Sequence, residues 1–276
     1  MGQLKIAYVV ATPDLKISEG VTALQQGLEP ALRRLKEAGY DGVELMVGDP
    51  EKFDNSQIER LAREYGLEVP AYCTGEVYGQ YGLSFMDPEA AVRREAIRKT
   101  LQIIDCAAAF GAMVNVGRLR GRFFQAVPRQ QSLQWMYAAF DRIADYAGPK
   151  GVVIILEPVA FPFCNVINST QDGIETVKRV GKSSFQLMLD VFTMHIEDRS
   201  MAAAFAEAKP YLKHIHLCDA NRLAPGMGIF NFERLLAAIR KTNYKGYVSA
   251  EVLPAPDENQ AFDQTTRTLM PLVKSL

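Results

Sequence analysis

The sequence predicts an α/β protein, a (β/α)8 TIM barrel built as a single domain over residues 1–276. Three observations carry that expectation: eight short apolar runs of strand type, amphipathic stretches alternating with them, and no Ser/Gly-rich or low-complexity tract to divide the chain. Eight β–α units in this length suit a barrel, and chains of this size commonly form one as a single domain. The competing architecture, an open doubly wound sheet, usually carries a Gly-rich phosphate loop after its first strand. VVATPDLK stands at that place and has none.

The first strand is LKIAYVV (4–10), a near-continuous apolar run of the kind expected when a parallel strand is covered on both faces. A helix over 26–38 follows and closes at Gly39, before the second strand, GVELMV (42–47). The helix over 55–65 closes in the same way at Gly66, before LEVPAYC (67–73). The loop CTGEVYGQYG (73–82) then brings Glu76, Tyr78 and Tyr81 to the end of the third strand, either as a lid or as a loop packed on itself. Asp87 as cap and Pro88 at the first helical position start a helix over 88–109. AMVNVG (112–117) is the fourth strand, followed by the basic segment VGRLRGRF and a helix over 129–147. The remaining strands are GVVIILE (151–157), FQLMLDV (185–191), HIHLC (214–218) and YVSAEV (247–252). Helices over 169–181, 200–208 and 231–241 separate them, and a last one lies near 258–275.

Composition narrows the function. The chain has 31 basic and 32 acidic residues, a net charge of −1, and so no electrostatic reason to bind nucleic acid or an anionic membrane. Cys73, Cys106, Cys164 and Cys218 show no CxxC spacing and read as reduced thiols rather than a disulfide framework. There is no signal-peptide pattern and no apolar run of membrane-spanning length. A cytoplasmic protein is expected.

In a barrel, polar residues at the C-terminal ends of the strands converge on one mouth, where active sites lie. Glu157, Asp190, His216 and Glu251 end the fifth to eighth strands, each closing an otherwise apolar run. Three carboxylates and an imidazole suit a divalent cation, with Mn²⁺ expected first and Mg²⁺ or Co²⁺ as alternatives. The cation would also offset the repulsion among three acids. His216 belongs to KHIHLCDANR (213–222), which holds two of the chain's three histidines two positions apart, followed by an acid, an amide and an arginine. Residues two apart in a strand share a face. His214 is therefore expected beside His216, supporting the site or filling the barrel. Arg118, Arg120 and Arg122 follow the fourth strand, as a clamp for substrate hydroxyl, carboxylate or phosphate groups or as a solvated basic loop.

ILEP, LMLD, HIHLCDANR and VSAEV, in this order and at these separations, together with GLEPALRRLKEAGYDGVEL near the start, resemble the sugar phosphate isomerase/epimerase superfamily of xylose isomerase-like TIM barrels. The likeness is greatest to ketose 3-epimerases of the D-tagatose and D-psicose type and to hydroxypyruvate isomerases. The resemblance implies Glu157, Asp190, His216 and Glu251 as metal ligands, Glu157 and Glu251 as the acid/base pair, and Arg222 as a substrate contact. Two positions depart from the pattern. Thr193 stands where these epimerases have a sugar-contacting histidine, with His195 two residues further on, and Phe163 stands where they have a second glutamate. Substrate contacts are thus expected from Arg222, Arg118, Thr193, His195 and Glu76.

The expected function is a divalent-metal-dependent sugar isomerase or epimerase, most like a ketose 3-epimerase. It would move a proton at the carbon beside a ketose carbonyl through a metal-stabilised enediolate, with two glutamates as base and acid. The alternatives are a lyase or dehydratase of the inosose dehydratase kind and a non-catalytic sugar-binding barrel. Cleavage of DNA at abasic sites would need several metals and many histidines, which three histidines do not provide. The expected partner is a small sugar or sugar-derived substrate, with homo-oligomers, dimer or tetramer, as the form of assembly, and neither nucleic acid nor membrane.

Overall fold

In the computed structural model, which describes residues 4–274, eight parallel strands close into a barrel in chain order. They are β1 (Lys5–Ala11), β2 (Gly42–Met46), β3 (Ala71–Cys73), β4 (Met113–Val116), β5 (Ile154–Leu156), β6 (Phe185–Asp190), β7 (Leu212–Leu217) and β8 (Tyr247–Ala250). Outside run α1 (Leu28–Glu37), α2 (Asn55–Tyr65), α3 (Gly75–Gly79), α4 (Ala90–Ala108), α5 (Arg129–Ala147) and α6 (Thr170–Val180). They continue as α7 (Val191–Glu197), α8 (Met201–Ala208), α9 (Phe232–Lys241) and α10 (Glu258–Lys274). Residues 1–3, 275 and 276 of the expected domain, residue 275 being also the end of its last expected helix, lie outside the described residues. No helix among the described residues is long and apolar enough to cross a membrane.

Several boundaries move for identifiable reasons. Pro70 has no N–H to give a ladder, and β3 begins only after it, with Glu68 reaching Gly42 through an isolated bridge. β5 begins three residues late because Gly151 takes a left-handed φ of 71° and Val152 N–H donates back to Ala147 O at the end of α5. α4 starts at Ala90 rather than 88: Asp87 Oδ1 accepts from Glu89 N at 2.8 Å, a side-chain turn that holds Glu89 extended. Gly66 closes α2 in the left-handed conformation, as expected, and Gly39 takes φ 81° just past α1. The short helix α3 sits within the 73–82 segment expected as a lid or loop, and α7 begins at Val191, the last residue of the expected sixth strand, and runs on through a stretch to which the sequence assigns no element.

The apolar core lies mostly between strands and helices. A smaller cluster of Ala71, Ile155 and Met188 plugs the barrel near its N-terminal end. The barrel interior toward the mouth is polar, because strand alternation turns Glu44, Asn115, His214, His216 and Ser249 inward, and all five are fully buried. The register of β7 against β6 skips Lys213: Leu187 faces Leu212, but Met188 faces His214. That irregularity precedes both histidines, so they keep one face.

Candidate active site

Four strand ends deliver the site. Glu157 follows β5, Asp190 closes β6, His216 lies one residue before the end of β7, and Glu251 follows β8. One donor atom each from Glu157, His216 and Glu251 lie within 4.8 Å of one another. Atoms bound to one ion at about 2.0–2.3 Å are at most roughly 4.6 Å apart, so these three need to close in only slightly. His216 Nδ1 is buried without a hydrogen-bond partner and stands 3.5 Å from Glu251 Oε2, as a ligand atom aimed at a cation would. The donor set fits a divalent ion.

Asp190 stands beside this trio rather than in it. Its Oδ1 accepts from Phe192 N at 3.0 Å and so caps α7, while its Oδ2 faces Arg222 NH1 at 3.3 Å. The second guanidinium nitrogen of Arg222 pairs with Glu251 Oε2. A single arginine thus bridges two of the three acids. Arg222 holds this place in a left-handed backbone conformation, φ 61°, uncommon for a non-glycine residue. Its N–H donates to Asp219 O and its carbonyl accepts from Leu253 N, each at 2.9 Å. Asp219 ties the loop together by accepting from the backbone N–H groups of Ala220, Gly226 and Phe230. Asn221 braces the same loop through Leu223 N and Met227 O. The acid and the amide after the histidines are loop fasteners, and the arginine is what they present.

Glu157 is set by residues the sequence reading did not single out. Asn115 Nδ2 donates to Glu157 Oε2 at 2.8 Å. A Cβ at Gly117 would come within 2.5 Å of that same oxygen, so only glycine leaves room for the carboxylate there. Arg120 is fully buried and gives its guanidinium to the carbonyls of Gly117, Glu157, Val166 and Ile167. It fastens the loop after β5 and leaves the clamp reading to Arg118, because Arg122 is exposed and does not line the cavity. Arg118 lines the cavity and is held by Glu76 at 2.9 Å and by Gly75 O at 3.3 Å, with Glu76 itself buried.

The cavity at the mouth measures about 280 Å³. Glu157, Glu251, Arg222 and Arg118 charge its wall, and Met46, Val159, Phe163 and Leu253 make it apolar elsewhere. Phe163, at the position of the glutamate in the resembling epimerases, is part of that wall. Thr193 and His195 are not. Thr193 is buried, with its hydroxyl accepting from Ala160 N at 3.3 Å; His195 is exposed on α7, edge-on to Phe230 with centroids 5.1 Å apart.

The deepest residue of the site is Glu44, in the middle of β2 and fully buried. Its Oε2 accepts from His214 Nε2 at 2.8 Å and its Oε1 from His216 Nε2 at 2.9 Å. His214 is also 3.0 Å from Ser249 Oγ. Glu44, His214 and His216 form a second compact group of ligand types, but here the carboxylate is already taken by both rings.

The environment pushes the two glutamates apart. Burial raises Glu157, and the nearby Glu251 and Asp190 charges add to it, to about 7 against an ordinary 4.5. Burial would raise Glu251 too, but Arg222 and His216 outweigh it and bring it down to about 2. For His216, burial favours the neutral ring, yet Glu44 and Glu251 hold its pKa well above the usual value, so a cation bound at Nδ1 would displace a proton from it. Carboxyl groups driven in opposite directions are the mark of an acid and a base sharing one site.

A raised carboxyl pKa favours the fold while the group is protonated and ceases to do so as pH rises through the folded-state value. Metal-free protein should therefore lose stability between about pH 5 and pH 8 through Glu157, by at most ~3 kcal/mol. Thermal melting in chelator across that range checks this. The wild-type curve should fall relative to Glu157→Gln, and parallel curves would contradict the assignment.

A family model described as the xylose isomerase-like TIM barrel matches residues 32–270. The D-psicose 3-epimerase of Agrobacterium fabrum is 37% identical over 231 residues, covering 80% of this chain and 78% of that protein. The 3-dehydro-D-guloside 4-epimerase of Escherichia coli is 27% identical over 243 residues, covering 83% and 89%. Among solved structures, D-allulose 3-epimerase from Methylomonas sp. in complex with D-allulose superposes with a TM-score of 0.79 at 22% identity. That match covers 98% of this chain and 96% of the other and speaks to the fold.

Proposed function

This chain belongs to the xylose isomerase-like TIM-barrel family, and we propose that it is a divalent-metal-dependent sugar epimerase, with a ketose 3-epimerase as the closest description. The observation that carries the reading is the convergence of Glu157, His216 and Glu251 at the mouth, with the two glutamates shifted in opposite directions, Glu157 up by burial and Glu251 down by Arg222 and His216. The names of the relatives agree at the level of reaction: psicose 3-epimerase and 3-dehydroguloside 4-epimerase both invert a carbon next to a ketone.

Glu157, His216 and Glu251 would hold the cation, with Asp190 next to them, and Mn²⁺ is the ion proposed for a mixed carboxylate and imidazole set. When bound, the ion supplies positive charge to the substrate oxygens on which negative charge develops. Glu251, kept ionised by Arg222 and His216, takes the proton from the carbon beside the carbonyl. Glu157, whose carboxyl burial makes the readier of the two to take up a proton, returns one to the other face. β5 and β8 are separated by β6 and β7, which sets the two carboxylates apart around the mouth. In the reverse direction the two exchange roles. Arg222 balances charge beside Glu251 and can meet a substrate oxygen, and Arg118, held by Glu76, faces the substrate from the β4 side. The apolar wall of Val159, Phe163 and Leu253 excludes water from the reacting carbon. A cytoplasmic setting suits four cysteines that are all unpaired.

The test is a screen of free and phosphorylated ketoses, with and without added Mn²⁺, resolving products by chromatography. A pair of C3 epimers interconverted only with metal is the expected result. Loss of water from the substrate, or metal binding without turnover of any ketose, would replace the epimerase reading.

A further inference from the structure

We propose that Glu44 is the positioning residue of the metal centre: it accepts Nε2–H from His214 and His216 at once and so presents the bare Nδ1 of His216 to the cation. The inference rests on the reading that a cation sits among Glu157, His216 and Glu251. It starts from hydrogen-bond counting. An ionised carboxylate only accepts, and each oxygen of Glu44 faces one ring, at 2.8 Å and 2.9 Å. Both rings must therefore carry a proton on Nε2. What remains for metal is Nδ1, and both Nδ1 atoms are buried without a partner. Only that of His216 stands beside another member of the trio, 3.5 Å from Glu251.

A histidine that ligates metal commonly gives its other N–H to an acceptor, which sets the ring's tautomer and orientation. The unusual feature here is one carboxylate serving two rings. His214 is held by Ser249 as well as by Glu44, and its ring stands nearly perpendicular to that of His216, at 84° with centroids 5.4 Å apart. His214 thereby fixes Glu44, and Glu44 fixes His216. This gives His214 a task in the barrel that does not require it to touch the ion.

Glu44→Gln separates positioning from filling because it keeps the volume and changes the hydrogen-bond code. An amide offers one accepting oxygen and one donating NH₂. One ring can keep its Nε2–H, and the other must turn a lone pair toward the NH₂ and move its proton to Nδ1. If that ring is His216, the ligand atom is blocked. If it is His214, a proton is placed on a buried nitrogen with no acceptor.

The experiment has two parts. Calorimetric titration of metal-free protein with Mn²⁺ alone should give Glu44→Gln an affinity roughly 10–100-fold below wild type. Nitrogen-15 NMR of histidine-labelled, Zn²⁺-loaded wild type should show Nε2–H on both His214 and His216, with exposed His195 as internal reference. In Glu44→Gln one of the two buried rings should switch tautomer. A proton on Nδ1 of His216 in the loaded wild type overturns the proposal, and that measurement needs no variant to fold. Wild-type affinity in a folded Glu44→Gln overturns it too, while leaving the metal site intact. A wild type that binds neither ion would remove the metal-site reading along with it.

Discussion

Glu157→Gln and Glu251→Gln are each expected to lower turnover by roughly 10²–10⁴-fold, the usual loss when a general acid or base is removed. Weakened metal ligation adds to that. The substitution keeps shape: Asn115 Nδ2 can still donate to the oxygen of a glutamine at 157, and Arg222 retains Asp190 when Glu251 loses its charge. The two variants should differ in direction. Arg222 and His216 bring the Glu251 carboxyl down while burial pushes that of Glu157 up, so each loss weighs more heavily on one epimer as substrate than on the other. Steady-state kinetics from both epimers checks this. Turnover within a few-fold of wild type in either variant would show that the carboxylate does not move a proton.

His216→Ala should abolish metal binding and activity together, with a loss of affinity beyond the 10–100-fold range typical of outer-shell changes. His214→Ala should stay within that range and act mainly on stability. Each removal strips one ring from the buried Glu44, and leaving one partner of a buried charged pair alone commonly costs about 3–5 kcal/mol. Thermal melting should therefore fall in both variants, while metal titration separates them. Equal loss of metal affinity would mean that His214 is also a ligand.

The barrel was legible because parallel strands buried on both faces are written as apolar runs, and all eight were found. Their starts were less so, since Pro70 and Gly151 delay β3 and β5 by backbone rules that a run of apolar residues hides. The strand-end acids stood out because each interrupts such a run at its C-terminal end, where a barrel places chemistry. Glu44 escaped the same reasoning by sitting mid-strand in GVELMV. The available signal was a lone carboxylate inside a strand otherwise composed to be buried, which must find partners. Asn115 in AMVNVG sent the same signal. Arg120 could not be told from Arg118 by spacing, since whether an arginine meets carbonyls or solvent depends on the fold of the loop beside it. Thr193 and His195 were placed by analogy with a sugar-contacting histidine, and the first turn of α7 instead directs the Thr193 hydroxyl to the backbone of Ala160.

The most direct test of the central account is turnover of a ketose in D₂O by the Mn²⁺-loaded enzyme, with products read by NMR. Proton transfer through two glutamates predicts that the epimerised product carries deuterium at the carbon beside the carbonyl. Epimerised product with no deuterium at that carbon or its neighbour would contradict it and point to internal transfer or a hydride shift, even with the metal bound as described.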